Sequence, residues 1–330
     1  MSLSAAAVIL LATRNGERFL RAQLDSILSQ TRSDWRLVVR DDSSEDTTPA
    51  ILKALASQDR RISILPGNER LGSAGNFSRL MSAAPAAPHY FFCDQDDVWP
   101  QDRLERMLET FAVRNADAPT ETPALLHTDL RLIDSNGAEI APSMHQLVAA
   151  RHAEEDPLGL LLAQNFVTGC SVMFNDALRR LAAPFPAEAI NHDWWLALIA
   201  AAAGRIHYLD EALVDHRRHD SNTNRISRDS RWTVKVLSDP IGNPARRRLF
   251  RRLAQSAALE ARLAQRAPEC PELPRLQAWN AASKQGGFAA LRAAIRQDVR
   301  LQDFPRTALF YCQLLTCRPA AARRATPGRK

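Results

Sequence analysis

Along the first hundred positions, short apolar runs alternate with segments of helical period. Ala6 to Ala12 is an uninterrupted run of strand length, the pattern of a strand buried on both faces. Behind it, Leu20, Leu24, Ile27 and Leu28 recur at i, i+4, i+7 and i+8, which predicts a helix over 16–30 with Asn15 as its cap. Trp35 to Arg40 predicts a second strand, and Thr47 to Ala56 a helix opened by Asp46 with Pro49 in its first turn. A third strand over 61–65, a helix over 74–84 and a fourth strand over 90–93 complete the series. This alternation predicts βαβ units in a mainly parallel sheet.

Beyond residue 100 the order becomes mixed. A helix is expected from Pro100 to about Ala116, a strand over 124–132 with a Ser135-Asn136-Gly137 turn behind it, and a strand over 166–174. A helix over 192–203 and a last strand over 205–209 follow. From Arg231 onward, prolines at 240, 244, 268, 271 and 274 separate arginine-rich helical pieces. The expected organisation is an α/β domain over 1–230 followed by a basic, helical extension over 231–330.

Charge sharpens that division. The last hundred residues carry 20 Lys and Arg against 6 Asp and Glu, whereas residues 1–230 carry 23 against 31. A basic tail behind an acidic body suits phosphate-bearing partners such as anionic lipid, nucleic acid or a pyrophosphate-linked acceptor, and equally a solvated helical face. The 45% hydrophobic content is enough for a packed core. The opening residues have neither the charge nor the apolar length of a secretory signal, and no run has the length of a membrane span. A cytoplasmic location is therefore expected. Five cysteines without CxxC spacing suit reduced thiols better than disulfides or a zinc site.

In open α/β sheets ligands bind beyond the carboxyl ends of the strands. Three such ends are polar: Thr13-Arg14-Asn15-Gly16-Glu17, Asp41-Asp42-Ser43-Ser44 and Asp94-Gln95-Asp96-Asp97. Each alone could be a capping turn. The third stands out, because three carboxylates within four residues behind an uncharged strand repel one another unless a cation or solvent relieves them. Hard oxygen ligands call for Mg²⁺ or Mn²⁺, with substrate phosphate completing the shell. No GxGxxG follows the first strand and no phosphate-binding GxxxxGK[ST] loop occurs, so a nucleotide would be held by side chains and metal.

Leu11 to Gly16, Leu24 to Thr31, Val39 to Thr47, Asn68 to Gly72 and Phe92 to Trp99 closely resemble glycosyltransferase family 2, inverting enzymes of GT-A fold. The likeness continues through Gln164 to Cys170, His192 to Trp195 and Arg218 to Asn222, over about residues 6–225. CDQDD, NFVTGC and HDWW resemble the rhamnosyltransferase-type branch that decorates bacterial surface polysaccharides. The resemblance implies a GT-A, Rossmann-like α/β fold. It implies that Thr13 and Asp42 contact the nucleotide base, with Arg14, Asn15 and Glu17 nearby and Asp94 facing the ribose or donor sugar. Asp96 would ligate the metal, with Asp97 and His219 beside it, Asp193 would be the catalytic base and Trp194 would lie at the donor. Arg14 departs from the tyrosine of many relatives.

The implied reaction is a single in-line displacement at the anomeric carbon. A dTDP- or UDP-sugar would be the donor, dTDP-L-rhamnose first among them. A glycan or polyprenyl-diphosphate-linked saccharide would be the acceptor, with peripheral contact between the basic extension and an anionic membrane and no nucleic acid partner. Two other classes fit parts of the sequence. A metal-dependent nucleotidyltransferase shares strand-end carboxylates but needs a glycine-rich phosphate loop, and a non-catalytic nucleotide- or membrane-binding module would not need the acidic body. Arg228-Asp229-Ser230-Arg231-Trp232 lacks the leading glutamine of QxxRW, which argues against processive polymerisation.

Overall fold

The computed structural model describes residues 5–148, 152, 156–220 and 243–316. The chain divides into two compact units: residues 1–154 with 166–228, and residues 155–165 with 229–330. The Arg228–Trp232 segment, Ser221, Asn222 and Cys317 lie outside the described residues.

The first unit is built on a sheet of eight strands among the described residues. Its centre is β1 (Ala7–Thr13), flanked in parallel by β2 (Trp35–Asp41) and β4 (His89–Cys93), with β3 (Ile62–Ile64) parallel to β2. β5 (Ala124–Ile133), β6 (Glu139–Ala141), β7 (Val172–Asn175) and β8 (Arg205–Arg217) complete it. β7 runs antiparallel to both β4 and β5, while β8 is parallel to β5. The carboxyl ends of β1, β2, β4, β5 and β8 therefore share one edge of the sheet.

Ala7 to Leu10 and Tyr90 to Cys93 are buried, as strands covered by helices on both faces require. The covering helices include α1 (Leu20–Leu28), α2 (Thr48–Gln58), α3 (Gly72–Ala83) and α4 (Arg103–Arg114). The unit's remaining helices are α5 (Met144–Val148), α7 (Asp176–Ala182) and the longer α8 (His192–Ala203), while α6 (Pro157–Ala163) belongs to the second unit.

Three elements differ from expectation. α1 starts at Leu20 rather than at 16, because Asn15 takes a left-handed φ of 45° and its Oδ1 accepts from Glu45 N instead of capping a helix. The strand expected over 166–174 is confined to β7, preceded by a 3₁₀ turn at Gly169–Ser171. β8 runs eight residues past its expected end at 209, because its charged positions find partners across the sheet. Arg131 makes a bidentate pair with Asp215 at 2.7 and 2.8 Å, and Val98 and Asp215 exchange backbone bonds.

In the second unit, four longer helices follow α6: α9 (Asn243–Arg266), α10 (Leu273–Gln285), α11 (Gly287–Arg296) and α12 (Phe304–Thr316). Their buried side includes Leu249, Leu259, Leu263, Leu276, Trp279, Phe310 and Leu314. α6 is apolar throughout. Its capping Asp156 is held by Arg275 at 2.6 and 3.0 Å, and Gly159 approaches so closely that a Cβ there would meet Asp298 O at 2.7 Å.

Candidate active site

At the ends of β1 and β2 the polar groups bond mainly to one another. Thr13 Oγ1 donates to Asp41 Oδ1 at 2.8 Å. Glu17 accepts from Thr47 N and Oγ1, and Glu17 N donates to Asp46 Oδ2, which ties the β1 loop to the start of α2. Asp42 is 2% exposed. Its carboxylate accepts from Leu71 N at 2.7 Å, Gly72 N at 2.8 Å and Arg40 Nη1 at 3.0 Å. Three of its roughly four acceptor sites are thus spent on the protein, which lets Asp42 shape the loop that opens α3 and leaves one site for the nucleotide base expected there. Arg14 is pinned by its backbone to Gln95, with Arg14 N donating at 2.7 Å and Arg14 O accepting at 2.9 Å. Its Nη1 is buried with no hydrogen-bond partner. A Cβ at Gly16 would lie 2.4 Å from Gln95 Oε1, so a larger residue there would displace the Gln95 amide from its bonds to Arg14.

The Asp94–Asp97 loop behaves differently. Burial, reinforced by Asp97 and Asp96, holds the Asp94 carboxyl well above the usual range, and the charge of Asp193 is felt there too. Asp96 is raised by burial and by Asp97, although His219 Nε2 lies 2.8 Å from its Oδ2 and opposes the shift. His219 is steadied by Phe19, whose ring centroid lies 4.9 Å away.

Asp97 turns inward and is fully buried. Its Oδ1 accepts from His216 Nδ1 at 2.9 Å and Arg217 N at 3.1 Å. Burial alone would raise its carboxyl, but the His216 charge and these bonds outweigh it and hold it below the ordinary value. Asp97, expected as a metal ligand beside Asp96, joins β8 to the acidic loop through these bonds. Burial lowers His216, yet Asp97 more than compensates and raises it to about 9.

Across from this loop, Asp193 sits in the first turn of α8. Its Oδ2 accepts from Gly169 N at 3.1 Å and its Oδ1 from Trp194 N at 2.6 Å, which fixes the carboxylate plane at the positive end of the helix. Neighbouring His192 stacks on Phe77 at 4.0 Å, and burial lowers it to about 3, so it is a neutral packing residue. Trp194 is 8% exposed, whereas Trp195 is fully buried with Nε1 donating to Ala182 O at 3.1 Å.

The structure brings together Asp94, Asp96, Asp193 and His219, and it adds residues that sequence reasoning missed. Gln95 braces the β1 loop. Arg103 is fully buried, donates to Leu213 O and Cys170 O at 2.7 and 2.8 Å, and is lowered by burial to about 10. His216 precedes His219 by three positions, and that spacing was its one sequence signal. Nothing local marks Arg103.

Residues 8–120 match the family model for Glycosyl transferase family 2. Among curated proteins, the dTDP-rhamnosyl transferase RfbG of Shigella flexneri is 34% identical over 111 residues, covering 32% of this chain and 38% of that protein. An uncharacterised glycosyltransferase of Nostoc is 27% identical over 222 residues, 65% of each chain. The UDP-Glc:alpha-D-GlcNAc-diphosphoundecaprenol beta-1,3-glucosyltransferase WfgD of Escherichia coli is 32% identical over 107 residues, 32% of this chain and 41% of its own. The matches thus span between about two fifths and two thirds of these relatives' lengths. Among solved structures, Staphylococcus aureus TarS 1–349 with UDP-GlcNAc aligns at TM-score 0.54 and 15% identity, over 93% of this chain and 87% of that one. The mannosyltransferase PcManGT from Pyrobaculum calidifontis, in complex with GDP-Man and Mn²⁺, aligns at 0.51 and 17%, over 94% and 84%. With Asp94 and Asp96 behind β4 and Asp193 in the first turn of α8 across from them, the chain has a GT-A fold whose residues 8–120 match glycosyltransferase family 2.

Proposed function

We propose that the protein is an inverting hexosyltransferase that moves a sugar from a nucleotide-diphosphate donor to a hydroxyl of a cell-surface glycan or its lipid-linked precursor. The observation that carries this reading is the pairing of a desolvated, mutually repelling Asp94–Asp96 cluster with an oriented Asp193 whose charge reaches it. Asp193 takes the acceptor hydroxyl proton as that oxygen bonds to the anomeric carbon and the bond to the diphosphate breaks. Asp94 faces the donor. Arg14, with its buried and unpartnered Nη1, is a cation at the nucleotide side.

The donor set fits a hard divalent cation. Asp96 with His219 beside it would hold Mg²⁺ or Mn²⁺, since excess carboxylate charge in a desolvated loop is what such an ion relieves. When bound, the ion offsets charge developing on the leaving diphosphate. PcManGT was solved with Mn²⁺ and GDP-Man, which supports both groups. Likeness to RfbG supports dTDP-rhamnose as donor, and likeness to WfgD supports a diphosphoundecaprenol-linked acceptor.

No described helix is long and apolar enough to cross a membrane. The basic helix α9, expected to lie on an anionic surface, buries Leu249 in its own unit while Arg246, Arg247 and Arg248 face solvent. α11 offers a better face for peripheral contact. Phe288 and Ile295 are 83% and 60% exposed, and exposed Arg292 and Arg296 lie on the same side, as in an interfacial helix.

Thermal-shift titration with dTDP, UDP and GDP, each with and without Mn²⁺, tests the reading. A saturating ligand at about 100 times its Kd stabilises by about 2.7 kcal/mol. Stabilisation only with metal, followed by transfer from the matching sugar nucleotide, is expected. Absence of any nucleotide effect would sink the proposal.

A further inference from the structure

Beside the Asp94–Asp96 face lies a second, softer donor set that the transfer reaction does not use. The Asp97 carboxylate, the Cys170 thiol and the His216 imidazole each present a ligand atom, and these atoms lie within 4.8 Å of one another. His216 Nδ1 is 2.9 Å from Asp97 Oδ1 and 3.8 Å from Cys170 Sγ. A tetrahedral ion with bonds of about 2.0–2.3 Å sets such donors roughly 3.3–3.8 Å apart, so small side-chain adjustments would open the triangle to one. The set is also protected. Asp97 and Cys170 are 0% and 1% exposed, and Asp97 Oδ2 is buried with no N–H or O–H donor, the Cys170 thiol being its polar neighbour.

The thiolate decides the metal class: carboxylate, imidazole and thiolate together suit Zn²⁺, whereas Mg²⁺ and Mn²⁺ prefer oxygen and gain little from sulfur. The geometry points to a binding site for a thiophilic divalent cation of the Zn²⁺ class at Asp97, Cys170 and His216, distinct from the hard-cation face at Asp96. Binding expels the Cys170 thiol proton and the proton shared between His216 and Asp97, and leaves the fourth position to water. Asp94 and Asp96 add favourable charge; the Arg103 guanidinium, which also acts on Cys170, opposes it.

The three ligands come from three segments: the loop after β4, the 3₁₀ turn at Gly169–Ser171 and the end of β8. Gly169 of that turn holds Asp193, and the residues after β8 place His219 on Asp96. An ion at this triangle would therefore clamp both halves of the active site at once.

Co²⁺ tests the site directly, because a bound thiolate gives a near-ultraviolet sulfur-to-cobalt charge-transfer band that oxygen ligands do not. The metal-free full chain should develop this band on Co²⁺ addition and lose it on Zn²⁺ addition. Cys170→Ser should abolish the band and weaken Zn²⁺ binding by at least about a hundredfold. Cys312→Ser, at an exposed thiol, and Asp96→Asn should leave it intact. If Cys170→Ser misfolds by circular dichroism, His216→Asn is the substitute, expected to shift the band and lose a similar share of affinity. No band in the wild-type chain, a band that survives Cys170→Ser, or a band and affinity left unchanged by His216→Asn overturns the assignment whether or not the protein transfers sugar.

Discussion

The two polar edges of the active site are built on opposite principles. At the ends of β1 and β2, Thr13, Asp41, Asp42 and Glu17 hydrogen-bond within the protein, and Arg40 pairs with Asp42 at 3.0 Å inside the core. At the end of β4, Asp94 and Asp96 are desolvated, repel Asp97 and one another, and are pushed upward. The first cluster is held by its own hydrogen bonds, whereas the surplus charge of the second is relieved by a proton or by a bound cation. Substitutions on the two edges should therefore fail in different assays.

The largest expected effect is at Asp96. Asp96→Asn should abolish nearly all transfer and most Mn²⁺-dependent nucleotide binding while leaving the metal-free melting temperature unchanged or higher, since a repulsive charge is gone. Unchanged turnover would remove the metal assignment. Asp193→Asn should lower kcat by about 10²–10⁴ with donor affinity retained, read from steady-state kinetics beside calorimetric binding. Parallel loss of donor binding would make Asp193 structural instead.

On the satisfied edge, Asp42→Ala should cost about 3–5 kcal/mol in urea unfolding, because the buried Arg40 guanidinium loses its counter-charge and keeps only Asn76 Oδ1 and Glu69 O. A loss of nucleotide affinity without loss of stability would reverse the comparison. Smaller still is the pH effect of His216. A folded-state value of about 9 against an unfolded 6.5 contributes stability that is fully present below pH 6.5 and fades as pH rises through 9. The upper bound is about 3 kcal/mol. Metal-free melting curves should decline over that window in the wild type and flatten in His216→Gln. Smallest is Glu17→Ala, expected to cost about 1 kcal/mol by freeing the Thr47 donors that open α2.

Much of this was legible in the sequence for identifiable reasons. The apolar runs of β1 and β4 have no alternative to a doubly covered strand, and Asp94, Asp96, Asp193 and His219 sit in short motifs with fixed spacing. What stayed hidden depends on contacts distant in sequence. Asp97 looked equivalent to Asp96 because periodicity cannot tell which carboxylate turns inward; His216, 119 positions away, makes that choice. The strand expected over 205–209 runs on to Arg217 because Arg131 neutralises Asp215 across the sheet, a contact with no local sequence signal. Arg103 gave no signal, since its partners are backbone carbonyls at Cys170 and Leu213.

Gly169 and His192 carry a consequence for how this protein can change over generations. A side chain at 169 would meet His192 Nε2 at 2.3 Å, while His192 fills its place by stacking on Phe77. Neither position can drift alone without a clash or a hole, so viable descendants must traverse them in order, with His192 shrinking before Gly169 grows. Because Gly169 also steadies Asp193, each intermediate on that route is exposed to selection on turnover as well as on folding. A larger residue at 169 should therefore be found only in the company of a smaller one at 192.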